Sequence, residues 1–142
     1  MSLDEHNTNI VVVGLIERNG KIFIARRAAT KTTFPNRFEL PGGHVDPGET
    51  LEDALIREMR EELELDITVG AVVDAFTYES EDMFKVEIVY LCKIKDDQEP
   101  VLHQDDHSEA KWIRSDEVGL MEKDDEETIA LRKAFKLLEG EI

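Results

Sequence analysis

The chain has 142 residues, 41% of them hydrophobic and 4 of them proline, which is enough for one domain with a single core and argues against disorder. Its formal net charge of −16 argues against nucleic acid polymers and anionic membranes as partners of its surface. No apolar run has the length of a membrane span and no signal pattern opens the chain, so we expect a cytoplasmic protein.

The first third of the chain predicts a β-hairpin followed by a loop. Residues 9–17 form a β-branched run that is typical of a buried strand. Asn19-Gly20 is a strong two-residue hairpin signal, and residues 21–26 alternate as the partner strand. Residues 28–36 predict a polar loop, and residues 37–40 predict a short strand.

Positive charge is concentrated in this part of an otherwise acidic chain. No Asp or Glu occurs between Arg18 and Phe38, although six cationic side chains do. We expect a phosphate to contact at least one of the three that immediately precede the next motif: Arg26, Arg27 and Arg37. The other three, Arg18, Lys21 and Lys31, are interpreted as solvated.

The segment after this strand predicts a glycine loop that leads into a helix over about residues 50–63. Gly42-Gly43 allows close approach of the backbone to a metal ion or a phosphate. Thr50 can cap the helix, and Leu51, Leu55 and Met59 define its apolar sector.

Carboxylates of this helix point in two directions. Glu58 and Glu62 project into the apolar sector and Glu61 lies on its border. Ionised groups turned inward are costly unless a cation meets them. Carboxylates one turn apart are suitable ligands for Mg²⁺ or Mn²⁺, so we interpret them as metal ligands rather than as a solvated acidic face.

The spacing within residues 43–65 resembles the signature of Nudix hydrolases: Gly43, five residues, Glu49, seven residues, then the run from Arg57 to Glu62. One position departs, because Glu64 stands where the family usually has a glycine. A glycine there suits a left-handed helix end. Glu64 must therefore accept strain of about 1–2 kcal/mol, or the helix must end differently.

The order of the predicted elements indicates an α/β fold, with a mixed sheet between helices. Strands are expected over residues 67–78 and 83–94 around an acidic turn at residues 79–82, and a last helix over about residues 125–139. The resemblance implies a Nudix-type α/β/α sandwich, and we expect one domain over residues 1–142.

Two later segments resemble parts of the family that complete the site. In the segment from Asp106 to Trp112, the resemblance makes Asp106 a candidate metal ligand or water activator, ahead of Asp105 and Glu109; a solvated loop is the alternative. Relatives often bind the base from the start of the last helix, so the resemblance implies that role for Asp125 or Asp124; N-capping is the alternative. Phe38 or Leu40 would line the nucleoside pocket, with core packing as the alternative.

Residues 21–50 resemble the MutT-like branch of the family. This resemblance implies Mg²⁺-dependent hydrolysis of a nucleoside triphosphate, standard or oxidised, to monophosphate and pyrophosphate; Mn²⁺ is a second candidate cation. The expected metal ligands are Gly43 through its carbonyl, Glu58, Glu61, Glu62 and Asp106. The expected catalytic residues are Glu49, Arg57, Glu58 and Glu61. Arg57 is expected to orient Glu49 or another carboxylate. The expected base is Glu58 or Glu61, and Asp106 is a less favoured candidate for that role.

Three alternative functions would each require a different sequence feature. Relatives that hydrolyse ADP-ribose or other nucleotide sugars tend to carry a proline downstream of the motif, and none occurs between Pro47 and Pro100. A non-catalytic nucleotide-sensing domain would have lost its glutamates. An isopentenyl diphosphate isomerase-like enzyme needs a cysteine near its site, whereas Cys92 lies within an apolar run and is expected to be buried. The expected partner is a small-molecule nucleotide, and a homodimer stays open.

Overall fold

The computed structural model describes residues 7–140, so that residues 1–6 and 141–142 of the predicted domain lie outside the described residues. Along the described residues run seven strands, two α-helices and one 3₁₀ helix: β1 (Thr8–Arg18), β2 (Lys21–Arg27), β3 (Phe38–Glu39), β4 (Gly42–His44), α1 (Leu51–Leu63), β5 (Ile67–Ser80), β6 (Met83–Ile94), β7 (His107–Ile113), the 3₁₀ helix (Ser115–Met121) and α2 (Glu126–Leu138).

The strands form one mixed sheet, as predicted. Its order is β3-β2-β1-β6-β5, with β4 beside β1 and β7 beside β2. β1 and β6 run parallel from the pair Thr8 and Phe84 to the pair Ile16 and Cys92, while the other pairings are antiparallel. β1 is buried on both faces, which explains why its sequence is an almost continuous apolar run.

One helix covers each face of the sheet, which gives the predicted α/β/α arrangement. α1 packs through Ala54, Leu55, Met59 and Leu63 against the face that contains Val12, Ile16 and Cys92. α2 packs against the opposite face, where the core contains the following residues: Val11, Val13, Leu15, Val89, Leu131 and Phe135. Cys92 is buried, and burial raises the pKa of its thiol to about 12, as expected for an inert cysteine.

Two tight turns fix the registers of the hairpins. Asn19 and Gly20 have φ of 55° and 79°, and Arg18 pairs with Lys21 across them, as the Asn-Gly signal predicts. The turn between β5 and β6 is shorter than the predicted span of residues 79–82, because Ser80 still pairs with Met83. Glu81 and Asp82 take positive φ and form the connection alone.

The ends of α1 decide between the two alternatives that the family resemblance raised. The Thr50 hydroxyl accepts a hydrogen bond from the Asp53 N–H at 3.1 Å. At the other end Glu64 is left-handed, with φ 53° and ψ 38°, and its N–H donates to Arg60 O. Leu65 N–H donates to Met59 O at 3.2 Å, which completes a Schellman-type end. Glu64 therefore accepts the conformation that a glycine would take without strain.

α2 begins immediately after Asp125, whose Oδ1 accepts the Thr128 N–H at 3.1 Å. The predicted bounds of both helices therefore hold to within a capping residue. None of the helices within residues 7–140 combines the length and apolar composition that crossing a bilayer requires.

Candidate active site

Arg57 is the centre of a network that joins the glycine loop to α1. Its guanidinium donates to both oxygens of Glu49, at 2.7 and 2.9 Å, and to the His44 carbonyl at 3.0 Å. It also reaches Glu58 at 2.9 Å and Glu61 at 3.2 Å. The hydrogen bonds from Arg57 lower the pKa of Glu49 to about 2, so that Glu49 is an anion over the whole physiological range. Arg57 thus holds three of the predicted carboxylates in one arrangement.

The structure places the three glutamates of α1 as their helical positions predict. The Glu58 side chain is 14% exposed, whereas that of Glu61 is 59% exposed. Glu62 Oε2 is buried and has no hydrogen-bond partner among residues 7–140. Burial, followed by the charges of Glu58, Glu39 and Asp106, raises the pKa of Glu62 to about 8. An oxygen that is buried, acidic and unpartnered is the kind of atom that a cation would satisfy.

The glycine loop approaches α1 closely. A Cβ on Gly43 would lie 2.4 Å from the carboxyl group of Glu58, so a larger residue here would displace that carboxylate from its position beside the loop. At the preceding position a Cβ on Gly42 would lie 2.0 Å from Val12 O on β1. The loop is therefore held between β1 and the inward carboxylates, and Gly43 belongs to the same site as Glu58.

Asp106 is the acidic residue of its loop that the structure brings toward Glu62, because its charge contributes to the raised pKa of that residue. Its Oδ1 lies 3.1 Å from Lys31 Nζ, and its carbonyl accepts the Ala28 N–H at 3.0 Å. Asp105 is exposed, and Glu109 is bound to Arg26 at 2.7 Å. Asp106 is thus better placed than the other two candidates.

Two of the cations interpreted as solvated instead form contacts with other side chains. Lys31 pairs with Asp106, and the Arg18 guanidinium stacks 4.3 Å from the Trp112 ring centroid while it binds Glu99 at 2.9 Å. All three partners are distant in the sequence, so the local pattern could not indicate them. For Arg18 and Lys31 the interpretation was wrong.

Glu39 is a site residue that the sequence analysis missed. It lies on β3 between Phe38 and Leu40, and its Oε2 is 3.1 Å from Nε2 of His107, a buried side chain. Its charge also raises the pKa of Glu62. A signal was present, because alternation along the strand turns Glu39 to the face opposite to Phe38 and Leu40.

The donors at this site match a hard divalent cation. Within residues 7–140 no three carboxylate, imidazole or thiolate side chains already surround one point as ligands. The oxygen donors of Glu58, Glu61, Glu62 and Asp106 are nevertheless those that Mg²⁺ and Mn²⁺ prefer. The unpartnered Oε2 of Glu62 leaves a specific place for such an ion.

A cleft of about 520 Å³ extends from Glu62 to the start of α2. Gly43 and Glu62 line it at the carboxylate site, and the apolar side chains Val11, Val13 and Phe76 line it elsewhere. Five of the predicted substrate-binding residues also line the cleft: Arg27, Arg37, Phe38, Leu40 and Asp125. Phe38 and Leu40 are at the same time members of the core, so the alternative of core packing holds for both, and their contact with a nucleoside stays a prediction.

Two predicted substrate-binding residues have partners elsewhere. Arg26 binds Glu109 and lies 4.6 Å above the Phe38 ring, outside the cleft lining. Asp124 is 85% exposed and pairs with Arg132 at 3.0 Å. Asp125 caps α2, which was the predicted alternative, although it also lines the cleft.

The cleft has one buried cation that the sequence analysis did not single out. Lys85 on β6 is 8% exposed, and its Nζ lies 3.0 Å from Nε2 of His44. Burial first, and then the Lys85 charge, lowers the pKa of His44, so the neutral imidazole accepts this hydrogen bond. In its contact with His44, Lys85 therefore binds a neutral imidazole rather than a carboxylate, and its positive charge lies at the cleft.

Several known proteins are similar to this chain in sequence or in fold. Nucleoside triphosphatase NudI from Salmonella arizonae is 30% identical over 121 residues, which are 78% of this chain and 84% of that protein. CTP pyrophosphohydrolase from Escherichia coli is 46% identical over 63 residues, which cover 44% of this chain and 46% of that enzyme. The crystal structure of a MutT protein from Methanosarcina mazei superposes with a TM-score of 0.78 at 24% identity, covering 95% of this chain and 97% of that one, which shows the shared fold.

A family model agrees with these matches across nearly the whole chain. The model described as the NUDIX domain matches residues 5–135, a range that contains the glycine loop, α1, the Asp106 loop and most of α2. The chain belongs to the Nudix family.

Proposed function

We propose that this Nudix hydrolase converts a nucleoside triphosphate into a nucleoside monophosphate and pyrophosphate in a reaction that depends on Mg²⁺ or Mn²⁺. The observation that carries the proposal is the buried, unpartnered Oε2 of Glu62 beside a cleft of nucleotide size. The names of the relatives, a nucleoside triphosphatase and a CTP pyrophosphohydrolase, support a triphosphate substrate over a nucleotide sugar.

The metal would be held by Glu58, Glu61 and Glu62, with the Gly43 carbonyl and Asp106 as further oxygen donors. When bound, the cation neutralises phosphate charge and lowers the pKa of a coordinated water. Arg57 is a positioning residue: it fixes Glu49, Glu58 and Glu61 relative to one another, so that little reorganisation is needed during the reaction.

The remaining roles are assigned to side chains at the carboxylate site and in the cleft. A base must take the proton of the attacking water, and Glu58 and Glu61 are the candidates on α1, with Asp106 as the third. Arg27, Arg37 and Lys85 bring positive charge to the cleft and would contact the phosphates. Phe38 and Leu40 offer apolar surface for the nucleoside.

A product assay with Glu62→Gln tests this proposal. Purified protein is incubated with Mg²⁺ and each nucleoside triphosphate, oxidised nucleotides, ADP-ribose and dinucleoside polyphosphates, and the products are separated. We expect monophosphate plus pyrophosphate from a triphosphate, and a loss of at least about 100-fold in turnover for Glu62→Gln. Glu52→Gln, which changes an exposed residue of the same helix, is the matched control and should retain activity.

Two other results would change the proposal. A Glu62→Gln variant that turns over at the parent rate would remove Glu62 from the metal site. AMP plus ribose phosphate from ADP-ribose, without triphosphate turnover, would assign the chain to the nucleotide-sugar hydrolases. A cytoplasmic location and a homodimer remain predictions from the sequence.

A further inference from the structure

His107 is a buried polar side chain that contacts a carboxylate of the cleft. It is the first residue of β7 and is 1% exposed. Its Nε2 donates to Glu39 Oε2 at 3.1 Å, since a carboxylate oxygen can only accept. The other ring nitrogen, Nδ1, is buried and has no hydrogen-bond partner within the part of the chain that the structure describes. Packing alone would favour an apolar side chain here, so the contact with Glu39 is what distinguishes this position.

An irregularity in the sheet places His107 opposite Arg27. β2 and β7 pair regularly as far as Arg26 and Glu109, but the next pair is Arg27 and His107. Ser108 is therefore an extra residue on β7, which makes a β-bulge. Bulges change the direction of side chains and are frequent next to active sites.

Glu39, Arg27 and His107 meet on one face of β2. Glu39 on β3 pairs with Ala25 of β2, and alternation along β2 turns Ala25 and Arg27 to the same face. β3 and β7 lie on either side of β2, because both pair with its last residues. The hydrogen bond between Glu39 and His107 therefore crosses β2 beside Arg27.

Glu39 also contacts the Arg27 guanidinium. Arg27 Nη1 donates to the two oxygens of Glu39 at 3.3 and 3.5 Å, and Arg27 Nε donates to the Thr33 carbonyl at 2.8 Å. The guanidinium is thus held through Nε and Nη1, whereas Nη2 takes part in neither contact. One of its two holders, Glu39, is itself held by the buried ring of His107.

This network borders the candidate metal site. Arg27, Glu39 and Glu62 all line the cleft. The charge of Glu39 raises the pKa of Glu62, so Glu39 lies within electrostatic range of a candidate metal ligand. A carboxylate in that position repels a phosphate, and hydrogen bonds from donors reduce the repulsion. The contacts that satisfy Glu39 are therefore the same contacts that hold Arg27.

We propose, on the basis of the proposed function, that Glu39 and His107 are positioning residues that fix Arg27 for contact with the phosphates of the substrate. The ring of His107 holds Glu39, and Glu39 holds the Arg27 guanidinium. A guanidinium that is fixed before binding loses less conformational freedom when it binds a phosphate, so the affinity for phosphates is higher.

The affinity for inorganic pyrophosphate with Mg²⁺, measured by calorimetry, tests the role of Glu39. In Glu39→Gln an NH₂ group replaces one acceptor oxygen and faces a donor of Arg27 or His107, so we expect the affinity to fall about ten-fold. Loss of a negative charge alone would raise the affinity for an anion. An unchanged or higher affinity in Glu39→Gln would therefore overturn the proposal. Glu99→Gln, which changes an exposed partner of Arg18, is the charge-matched control.

Variants of His107 separate its hydrogen bond from its packing. The amide nitrogen of glutamine reaches about as far as Nε2, whereas that of asparagine stops short of it. His107→Asn should weaken pyrophosphate binding about ten-fold, and His107→Gln should retain most of the affinity. Equal affinities of the two variants would overturn the role of His107. His103→Asn, an exposed histidine of the preceding loop, is the control.

Two further measurements identify the residue through which His107 acts. In an Arg27→Ala protein, His107→Asn should cause no further loss of pyrophosphate affinity, because Arg27 is already absent. The affinity for Mn²⁺ alone should be unchanged in His107→Asn, although Asp106 is its neighbour in the sequence. Additive losses, or a loss of Mn²⁺ affinity as large as that for pyrophosphate, would overturn the proposal.

Binding and turnover distinguish this proposal from the proposed function. In a protein that hydrolyses triphosphates, Glu39→Gln and His107→Asn should raise KM by a larger factor than they lower kcat. Hydrolysis with pyrophosphate affinities that do not depend on Glu39 would leave the proposed function standing and overturn the positioning role. Pyrophosphate binding that depends on Glu39 and His107, without any hydrolysis, would support the positioning role and overturn the proposed function.

Discussion

Arg57 binds Glu49 through two parallel hydrogen bonds, from Nε to Oε2 at 2.7 Å and from Nη2 to Oε1 at 2.9 Å. This fork matches the planar geometry of a carboxylate and fixes Glu49 in both position and orientation. The same guanidinium donates to the His44 carbonyl, so Arg57 links the glycine loop to α1.

Arg57→Lys should therefore lower kcat/KM by about 100-fold, because a lysine keeps the charge but has no fork to orient Glu49. Steady-state kinetics with the substrate found in the product assay measure the effect. Arg60→Lys is the control, since Arg60 lies on the same helix and makes a single exposed pair with Asp66 at 2.8 Å. An Arg57→Lys enzyme as active as its parent would show that the network is not needed for turnover.

The stability of the metal-free protein should depend on pH through Glu62. Burial raises the pKa of Glu62 to about 8 from an ordinary value of 4.5. Between these pH values the folded chain retains a proton that the unfolded chain has released, so the free energy of unfolding falls as pH rises through this window. In Glu62→Gln this group no longer titrates, and the decline should be smaller.

Urea denaturation in EDTA at several pH values across that window measures the difference between the two proteins. Comparing the two proteins removes the contribution of other buried carboxyl groups, because both contain them. Parallel curves for the wild-type protein and Glu62→Gln would show that Glu62 has an ordinary pKa in the folded chain.

The left-handed Glu64 predicts a stabilising substitution. Glu64→Gly removes the Cβ that makes φ 53° unfavourable, although glycine adds conformational freedom to the unfolded chain. The net gain in the free energy of unfolding should be about 0.5–1 kcal/mol. Glu64→Ala is the control: like Glu64→Gly it loses the 3.1 Å contact with His103, but it keeps the Cβ. Thermal melts should rank glycine above alanine, and the reverse order would exclude backbone strain at this residue.

Much of the site was predictable because its pattern is local. A helix turns by about 100° per residue, so the spacing of Leu55, Glu58, Met59 and Glu62 alone placed two carboxylates on the buried side. The capping role of Thr50 and the Asn19-Gly20 turn were predictable for the same reason, since each depends on neighbouring residues. The long spacing from Gly43 to Glu62 was enough to indicate the family.

Other features depended on which segments face each other, and local patterns do not contain this information. Arg26 and Arg37 are equally basic in the sequence, yet Arg26 pairs with Glu109 because β7 runs beside β2, whereas Arg37 lines the cleft. For Glu64 the sequence left two helix endings open, and the structure takes the left-handed one, with Leu63 and Leu65 both fully buried.

The sequence by itself thus determined most of the elements, the direction of the carboxylates on α1 and the family, because periodicity, caps and motif spacing act over a few residues. Only the tertiary structure placed Glu39 beside His107 and Glu87 beside Glu127, because β3 and β7, and β6 and α2, are far apart along the chain. Whether a buried carboxyl group is paired, neutral or available to a ligand depends on such distant neighbours, since burial and nearby charge together set its pKa.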